Sequence, residues 1–280
     1  MIDDFWFLSF ADSRLGGMIR NPVKRIRHQA EAMDVFGDRI RVWTEFDLDA
    51  DYRERMKEHL VPGSRGFGYW CWKPQIVLQV MREMREGDVV LYADIGCHLN
   101  PRGIKRLGEY HRMAKRHGIV AFQARTKDDP PRHFLVDGDW SKGDLLDFFG
   151  VRGNKDVTGT GQLGGGVFLV CKSRSTEDFF GKFAEIFAGH FELCDDSPSK
   201  APNLPGFVEN RHDQSVFSLL GKAHGVFSLS AHEYDPMTPG GDWSCMAEYP
   251  VWSKHDKGGL RSLFPNSLKR VVHSLSGGRI

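Results

Sequence analysis

A chain of 280 residues carries 38 Lys and Arg against 37 Asp and Glu, a formal net charge of +1 at pH 7. That balance argues against a general nucleic-acid binder, and no apolar run approaches the ~18 residues that span a bilayer. Five cysteines, Cys71, Cys97, Cys171, Cys194 and Cys245, are irregularly spaced and include no CxxC pair, which suits reduced cytoplasmic thiols and not a disulfide framework or a zinc site.

The acidic start MIDDFWFLSF is unlike a secretion signal and leads into an apolar strand, Phe5–Phe10. Its polar exit, Ala11-Asp12-Ser13-Arg14, is the kind of strand end where a doubly wound sheet meets a nucleotide. Taken alone, Asp12 reads as a turn or cap residue. Residues 22–36 read as an amphipathic helix with Val23, Ile26, Ala30 and Met33 inward, ended by Gly37. Residues 39–44 read as a second strand and 48–60 as a second helix. The alternation predicts parallel strands with right-handed crossovers.

The stretch GFGYWCWKPQIVLQVMREMREGDVVLYADIGCHLN, residues 66–100, organises the rest. Pro74 suits a first helical position, Ile76, Val77, Val80, Met81 and Met84 share one face, and Gly87 suits its end. Val89–Tyr92 is a short apolar run expected of a doubly covered strand. Asp94, Gly96 and Asn100 follow at its carboxyl end, where open α/β sheets bind ligands. Lys73 opposes the positive end of a helix dipole unless an anion lies between them; otherwise it snorkels over Trp70 or Trp72. Trp70, Trp72 and Tyr69 are too many for full burial, so the two tryptophans are expected to divide between core and site.

GFGYWCWKP followed by GDVVLYADIG resembles the signature of a group of bacterial and viral glycosyltransferases with the GT-A fold. The resemblance implies a single α/β domain with a mixed, mostly parallel, Rossmann-like sheet and helices on both faces. It further implies a nucleotide-sugar donor, a UDP-sugar by preference, whose diphosphate is held through Mn²⁺ or Mg²⁺ at a variant of the Asp-x-Asp motif. Asp94 is the acid that remains; Gly96 stands at the second acidic position. Ala11, Asp12, Trp70, Lys73 and Tyr92 are the accompanying donor-binding candidates.

Asn100 and Pro101 begin a helix rich in Arg and Lys over residues 101–117, which reads as a solvated face or as contact with anionic lipid or glycan. Residues 118–123 are another strand. Residues 126–161 read as mobile loop around one short helix at 142–149. Gln162-Leu-Gly164-Gly165-Gly166 leads into the strand 167–171 and not into a helix, which excludes a P-loop. By resemblance this segment lies under the transferred sugar and the acceptor, with Gln162 catalytic and Gly164 and Gly165 against substrate. Ser175 and Asp178 resemble the start of a helix whose core stripe is Phe179, Phe183, Ile186 and Phe187.

Arg211-His212-Asp213-Gln214-Ser215 opens a helix with Val216, Leu219 and Leu220 buried; Asp213 alone reads as its cap. By resemblance Asp213 is the second acidic motif, a catalytic carboxylate flanked by substrate-binding His212 and Gln214. Tyr249–His255 resembles the closing segment of the family, which makes His255 a metal or diphosphate ligand; His232 and His273 compete with it. The tail mixes Leu260, Leu263, Phe264 and Leu268 with Arg261, Lys269 and Arg270, and packs on the domain or lies on a membrane.

These readings give one domain over 1–280, with a nucleotide-binding half (1–125), an acceptor and sugar half (126–255) and a tail (256–280). The expected activity is sugar transfer to a glycan or lipid-linked acceptor in surface polysaccharide or glycoconjugate synthesis, in the cytoplasm with possible membrane association. The alternatives are a catalytically silent nucleotide-sugar or glycan-binding domain, and a hydrolase using Asp94 and Asp213 as paired carboxylates.

Overall fold

Three apolar runs, each buried along its whole length, make the centre of one six-stranded sheet: β1 (Phe5–Phe10), β3 (Val89–Ala93) and β6 (Val167–Cys171). The structure is a computed structural model and describes residues 4–17, 21–124, 136–236 and 243–258. The remaining strands are β2 (Ile40–Trp43), β4 (His98–Leu99), β5 (Ile119–Gln123), β7 (Phe227–Ser230) and β8 (Val251–Trp252). The sheet order is β2-β1-β3-β6-β5-β7, while β4 and β8 pair separately. The edge strands β2 and β7 keep half-exposed residues, as edges do.

Pairing is parallel for β1 with β2 and β3 and for β5 with β7. Within the six-stranded sheet β6 runs against its neighbours β3 and β5, and the separate pair β4–β8 is antiparallel. The mixed, mostly parallel sheet expected of a single α/β domain is therefore present. The chain leaves β1 to form β2 on one side and returns to form β3 on the other. The carboxyl ends of β1 and β3 thus flank a topological switch point, where such sheets open a crevice.

The helices are α1 (Pro22–Ala32), α2 (Ala50–Arg55), α3 (Gly66–Tyr69, a single left-handed turn with φ positive throughout), α4 (Trp72–Glu83), α5 (Ile104–His117), α6 (Asp137–Trp140), α7 (Gly143–Phe148), α8 (Lys155–Thr158), α9 (Arg174–Gly189) and α10 (Asp213–Ala223). Alternation along the strands splits the core in two. Leu8, Val90, Tyr92 and Phe168 pack with Ile76 and Val80 of α4, Phe183 of α9 and Phe217 of α10. Phe7, Leu91 and Leu169 pack with Ile26 of α1 and Leu107 of α5 on the other face.

Several elements depart from their sequence expectations for local reasons. The first helix stops at Ala32 instead of 36, and the second spans only Ala50–Arg55, continuing to Leu60 as hydrogen-bonded turns. Pro74 is the third residue of α4, still within the first turn whose N–H groups lack intrahelical acceptors. That helix ends at Glu83, and Gly87, at φ +83°, serves the following turn. The cap of α9 is Ser173 with Thr176, two residues before the expected pair, because these two satisfy each other reciprocally.

Residues 136–161 are not loop around one helix; they hold α6, α7 and α8. Asp137, fully buried, accepts from Lys222 Nζ at 2.6 Å and Ser218 Oγ at 2.9 Å, anchoring the segment to α10. Residues 125–135, Asp242, His273 and the tail from 259 onward lie outside the described residues.

The basic helix α5 is partly neutralised within the fold: Arg106 pairs with Glu109 and Glu233, and Lys115 with Asp4. Among the described residues no helix is long and apolar enough to cross a membrane.

Candidate active site

Alternation along β3 places Tyr92 and Asp94 on the same side, so the Tyr92 hydroxyl donates to Asp94 Oδ1 at 2.6 Å. Tyr92 itself is fully buried and stacks on Phe168 with centroids 4.8 Å apart. Asp94, at the strand's carboxyl end, is half-buried and faces a cleft of about 320 Å³.

Lys73, in the first turn of α4, is 2% exposed. Its Nζ donates to Asp213 Oδ2 at 2.5 Å and to the Gly165 carbonyl at 2.8 Å, and lies 3.4 Å from Asp94 Oδ1. The anion that the sequence leads one to expect beside this lysine is thus a pair of carboxylates from the protein. Burial opposes the ammonium, but Asp213 and Asp94 hold its pKa above the ordinary lysine value. Burial pushes the Asp213 carboxyl up to about 6, against the pull of Lys73.

Asp213 is the first residue of α10 and not its cap; the cap position belongs to His212. His212 sits at φ 54°, ψ −118°, a sparsely populated backbone region for a residue with a side chain. It is held there by a hydrogen bond between Nδ1 and the Cys194 carbonyl at 2.8 Å and by stacking on Trp70 at 5.8 Å. Phe67, Tyr69, Trp70 and His255 also have positive φ. Among the described residues, five of the six such non-glycine residues therefore border or flank this one cleft, where strain is characteristically stored.

Both tryptophans border the cleft, to different depths. Trp72 is buried, stacks on Phe10 at 3.9 Å and donates to the Gly66 carbonyl at 3.0 Å. Trp70 is half-buried on the cleft wall above Gly66, whose Cβ would lie 2.4 Å from its ring.

The glycine run before β6 leaves the carboxylates their space. A Cβ at Gly165 would lie 3.2 Å from Asp213 Oδ2, and one at Gly166 3.1 Å from Asp94 Oδ2. A Cβ at Gly164 would meet the Tyr234 hydroxyl at 2.4 Å. Gln162 is buried and has both ends of its amide engaged: Nε2 donates to Trp140 O and the hydroxyls of Ser141 and Ser215, and Oε1 accepts from Gln214. Gln214 in turn accepts from the Gly165 N–H at 3.3 Å. These bonds form a frame around Asp213.

At the end of β1, Ala11 is buried and Asp12 pairs with Arg14 at 2.6 Å. On the opposite wall, residues 253–257 form a strap. The Asp256 N–H donates to Gly96 O at 2.9 Å, and a Cβ at Gly96 would lie 3.1 Å from His255 Cα. Arg25 clamps the strap, donating from Nη2 to Ile95 O and Asp256 O and from Nη1 to Cys97 O at 2.6–2.9 Å. His255 is exposed, with Nε2 3.3 Å from Ser253 Oγ.

All the sequence candidates except Tyr92 line this one cleft, and Tyr92 supports Asp94 from beneath. Sequence reasoning missed Arg65, Arg211, Tyr234, Asp235 and Lys257, which also line it. Arg211 and Lys257 stand within two residues of candidates already chosen, a proximity that could have found them. Tyr234 and Asp235 come from an irregular segment with no periodic signal.

A divalent cation, implied by the sequence resemblance, calls for converging oxygen ligands. Among the described residues no three His, Cys, Asp or Glu side chains converge in that way. Asp94 Oδ1 is engaged by Tyr92 and approached by Lys73, and the second acidic position is a glycine packed against the strap. Such an ion takes one or two carboxylates and completes its shell with donor phosphates; here the protein offers one, Asp94, already paired with Lys73 and without the second acid of the ordinary motif, a poor fit to that ion.

No protein-family model matches the sequence, and no curated protein matches it. Solved structures align with most of the chain at low identity. One is a glycosyltransferase involved in glycosylation of the major capsid of PBCV-1, at 8% identity over 95% of this chain and 98% of that one, TM-score 0.47. Mouse xyloside xylosyltransferase 1 aligns at 13% identity over 83% and 87%, TM-score 0.42. A 4-diphosphocytidyl-2C-methyl-D-erythritol synthase from Anaerococcus prevotii aligns at 12% identity over 81% and 87%, TM-score 0.37. At such distances the chemistry has to be read from the cleft's own residues.

Proposed function

We propose that the protein is a glycosyltransferase of GT-A type that moves a sugar from a nucleoside-diphosphate donor, by preference a UDP-sugar, to a glycan or lipid-linked acceptor. The observation that carries this reading is the ion triad of Lys73, Asp94 and Asp213 on the cleft floor, beside the carboxyl ends of β1 and β3. Residues 1–125 supply the nucleotide side, with Ala11, Asp12 and Trp70 on its wall, and residues 126–255 the sugar and acceptor side.

The departing nucleoside diphosphate develops negative charge that must be stabilised away from water. Lys73 is a buried cation that offsets the carboxylates beneath that charge, held by Asp213, the Gly165 carbonyl and Asp94. Asp213, with a pKa of about 6, is mostly a carboxylate at neutral pH. It can accept the acceptor's hydroxyl proton in an inverting reaction, or stabilise an oxocarbenium-like centre in a retaining one.

One observation favours glycoside hydrolysis instead: Asp94 and Asp213 share a single ammonium and so lie close together. Asp213, with its carboxyl pushed up only to about 6, is mostly ionised at neutral pH and so a poor acid for the leaving group, which makes transfer the stronger reading. The test is a panel of nucleotide sugars with glycan acceptors, read by mass spectrometry. Nucleotide-dependent product supports transfer. Cleavage without a nucleotide supports hydrolysis, and binding without turnover supports a silent binding domain.

A further inference from the structure

We infer that the charge of the donor diphosphate is met by the protein's own cations, Lys257 reaching it from the strap and Lys73 neutralising the carboxylates beneath it, and not by a divalent metal ion. This rests on the nucleotide-sugar reading above and specifies how its charge is met. Three observations converge on it. First, an ammonium already bridges the two carboxylates of the cleft floor, the place a metal would need. Second, the position of the missing acid is closed. At Gly96 the strap backbone comes within Cβ contact, and the Asp256–Gly96 bond together with the Arg25 clamp holds it there.

Third, the same packing that closes position 96 brings new positive charge. The strap carries Lys257, exposed on the cleft wall, along with His255. Of the charged side chains that line the cleft, Lys73, Lys257, Arg65 and Arg211 balance Asp12, Asp94, Asp213 and Asp235, so a diphosphate meets a lining without net negative charge. A lysine acts on phosphate as a point charge and needs no carboxylate ligands of its own.

The test is calorimetry of UDP, GDP, ADP and CDP on the full chain, in excess EDTA and in Mn²⁺. The wild type should bind at least one nucleotide with affinities that agree within about threefold between the two conditions. Lys257→Ala, an exposed change that leaves the fold intact, should weaken that nucleotide by about tenfold in EDTA. Lys73→Met, if folded by circular dichroism, should lose affinity at least as much. Mn²⁺ alone should raise its melting temperature, because two carboxylates are then left without their cation, and should not raise that of the wild type. Binding by the wild type only in Mn²⁺ would overturn the inference while leaving the donor reading intact, as would full EDTA-resistant affinity in Lys257→Ala. Absence of nucleotide binding in both conditions would overturn the donor reading itself, and the inference with it.

Discussion

Lys73 and Asp213 join the first turn of α4 to the first turn of α10 across 140 residues of sequence, at 2.5 Å and with both side chains buried. A buried pair of this kind holds two elements in register, yet removing one partner leaves an uncompensated charge.

Asp213→Asn should lower sugar transfer by roughly 10²-fold or more, since the group that takes the proton or stabilises charge is gone. It also leaves Lys73 with Asp94 as its remaining carboxylate. Because the fold already favours the neutral form of this carboxyl, and Lys73 keeps Asp94 and the Gly165 carbonyl, stability in denaturant unfolding should change by no more than about 1 kcal/mol. Near wild-type turnover would remove Asp213 from the chemistry.

The pH dependence has opposite signs for activity and for stability. Asp213 titrates at about 6 in the fold, against about 4 unfolded. Between those values the native state binds more protons, so the Asp213 contribution to stability falls as pH rises through that window and is flat above it. Turnover should instead rise with pH to a plateau above about 6, as the carboxylate forms. Both limbs should vanish in Asp213→Asn; a pH profile identical to wild type would dissociate this group from both.

Trp72→Ala should destabilise by about 3–5 kcal/mol, as for other buried aromatics, because its ring packs on Phe10 in the core. Trp70→Ala should cost far less stability and weaken the nucleotide, because its half-buried ring borders the cleft. Chemical melts alongside binding isotherms separate the two, and equal unfolding in both variants would make the whole loop scaffold.

Gly96→Asp restores the acid of the ordinary motif and tests whether space exists for it. With a Cβ 3.1 Å from His255 Cα, it should displace the strap, lower stability by about 1–3 kcal/mol and reduce nucleotide affinity. Tighter binding with unchanged melting would show that the strap yields.

Much of this site was legible because its chemistry is local. Pro74, the apolar run at 89–92 and Asp94 announce a helix start and a strand end within one short stretch, and the Arg211–Ser215 segment opens a helix by itself. What the sequence could not supply was which charges meet. Lys73 reads as facing a ligand, and only the packing of α4 under the glycines before β6 shows it committed to Asp94 and Asp213. Gln162 likewise reads as catalytic, whereas its amide is spent on framing Gln214 and Ser215. Residues 136–161 look loop-like because their order depends on Asp137 reaching Lys222, a contact without local periodicity.

The guanidinium of Arg25 reaches Asp256 across 231 positions. Contacts of such separation form only after the intervening loop is closed, which is entropically slow. During synthesis, the strand ends near residues 10 and 94 leave the ribosome long before the segment that completes their wall. The cleft is consequently among the last features to exist, and a chain interrupted before residue 256 would carry its central strands without a finished place to bind substrate.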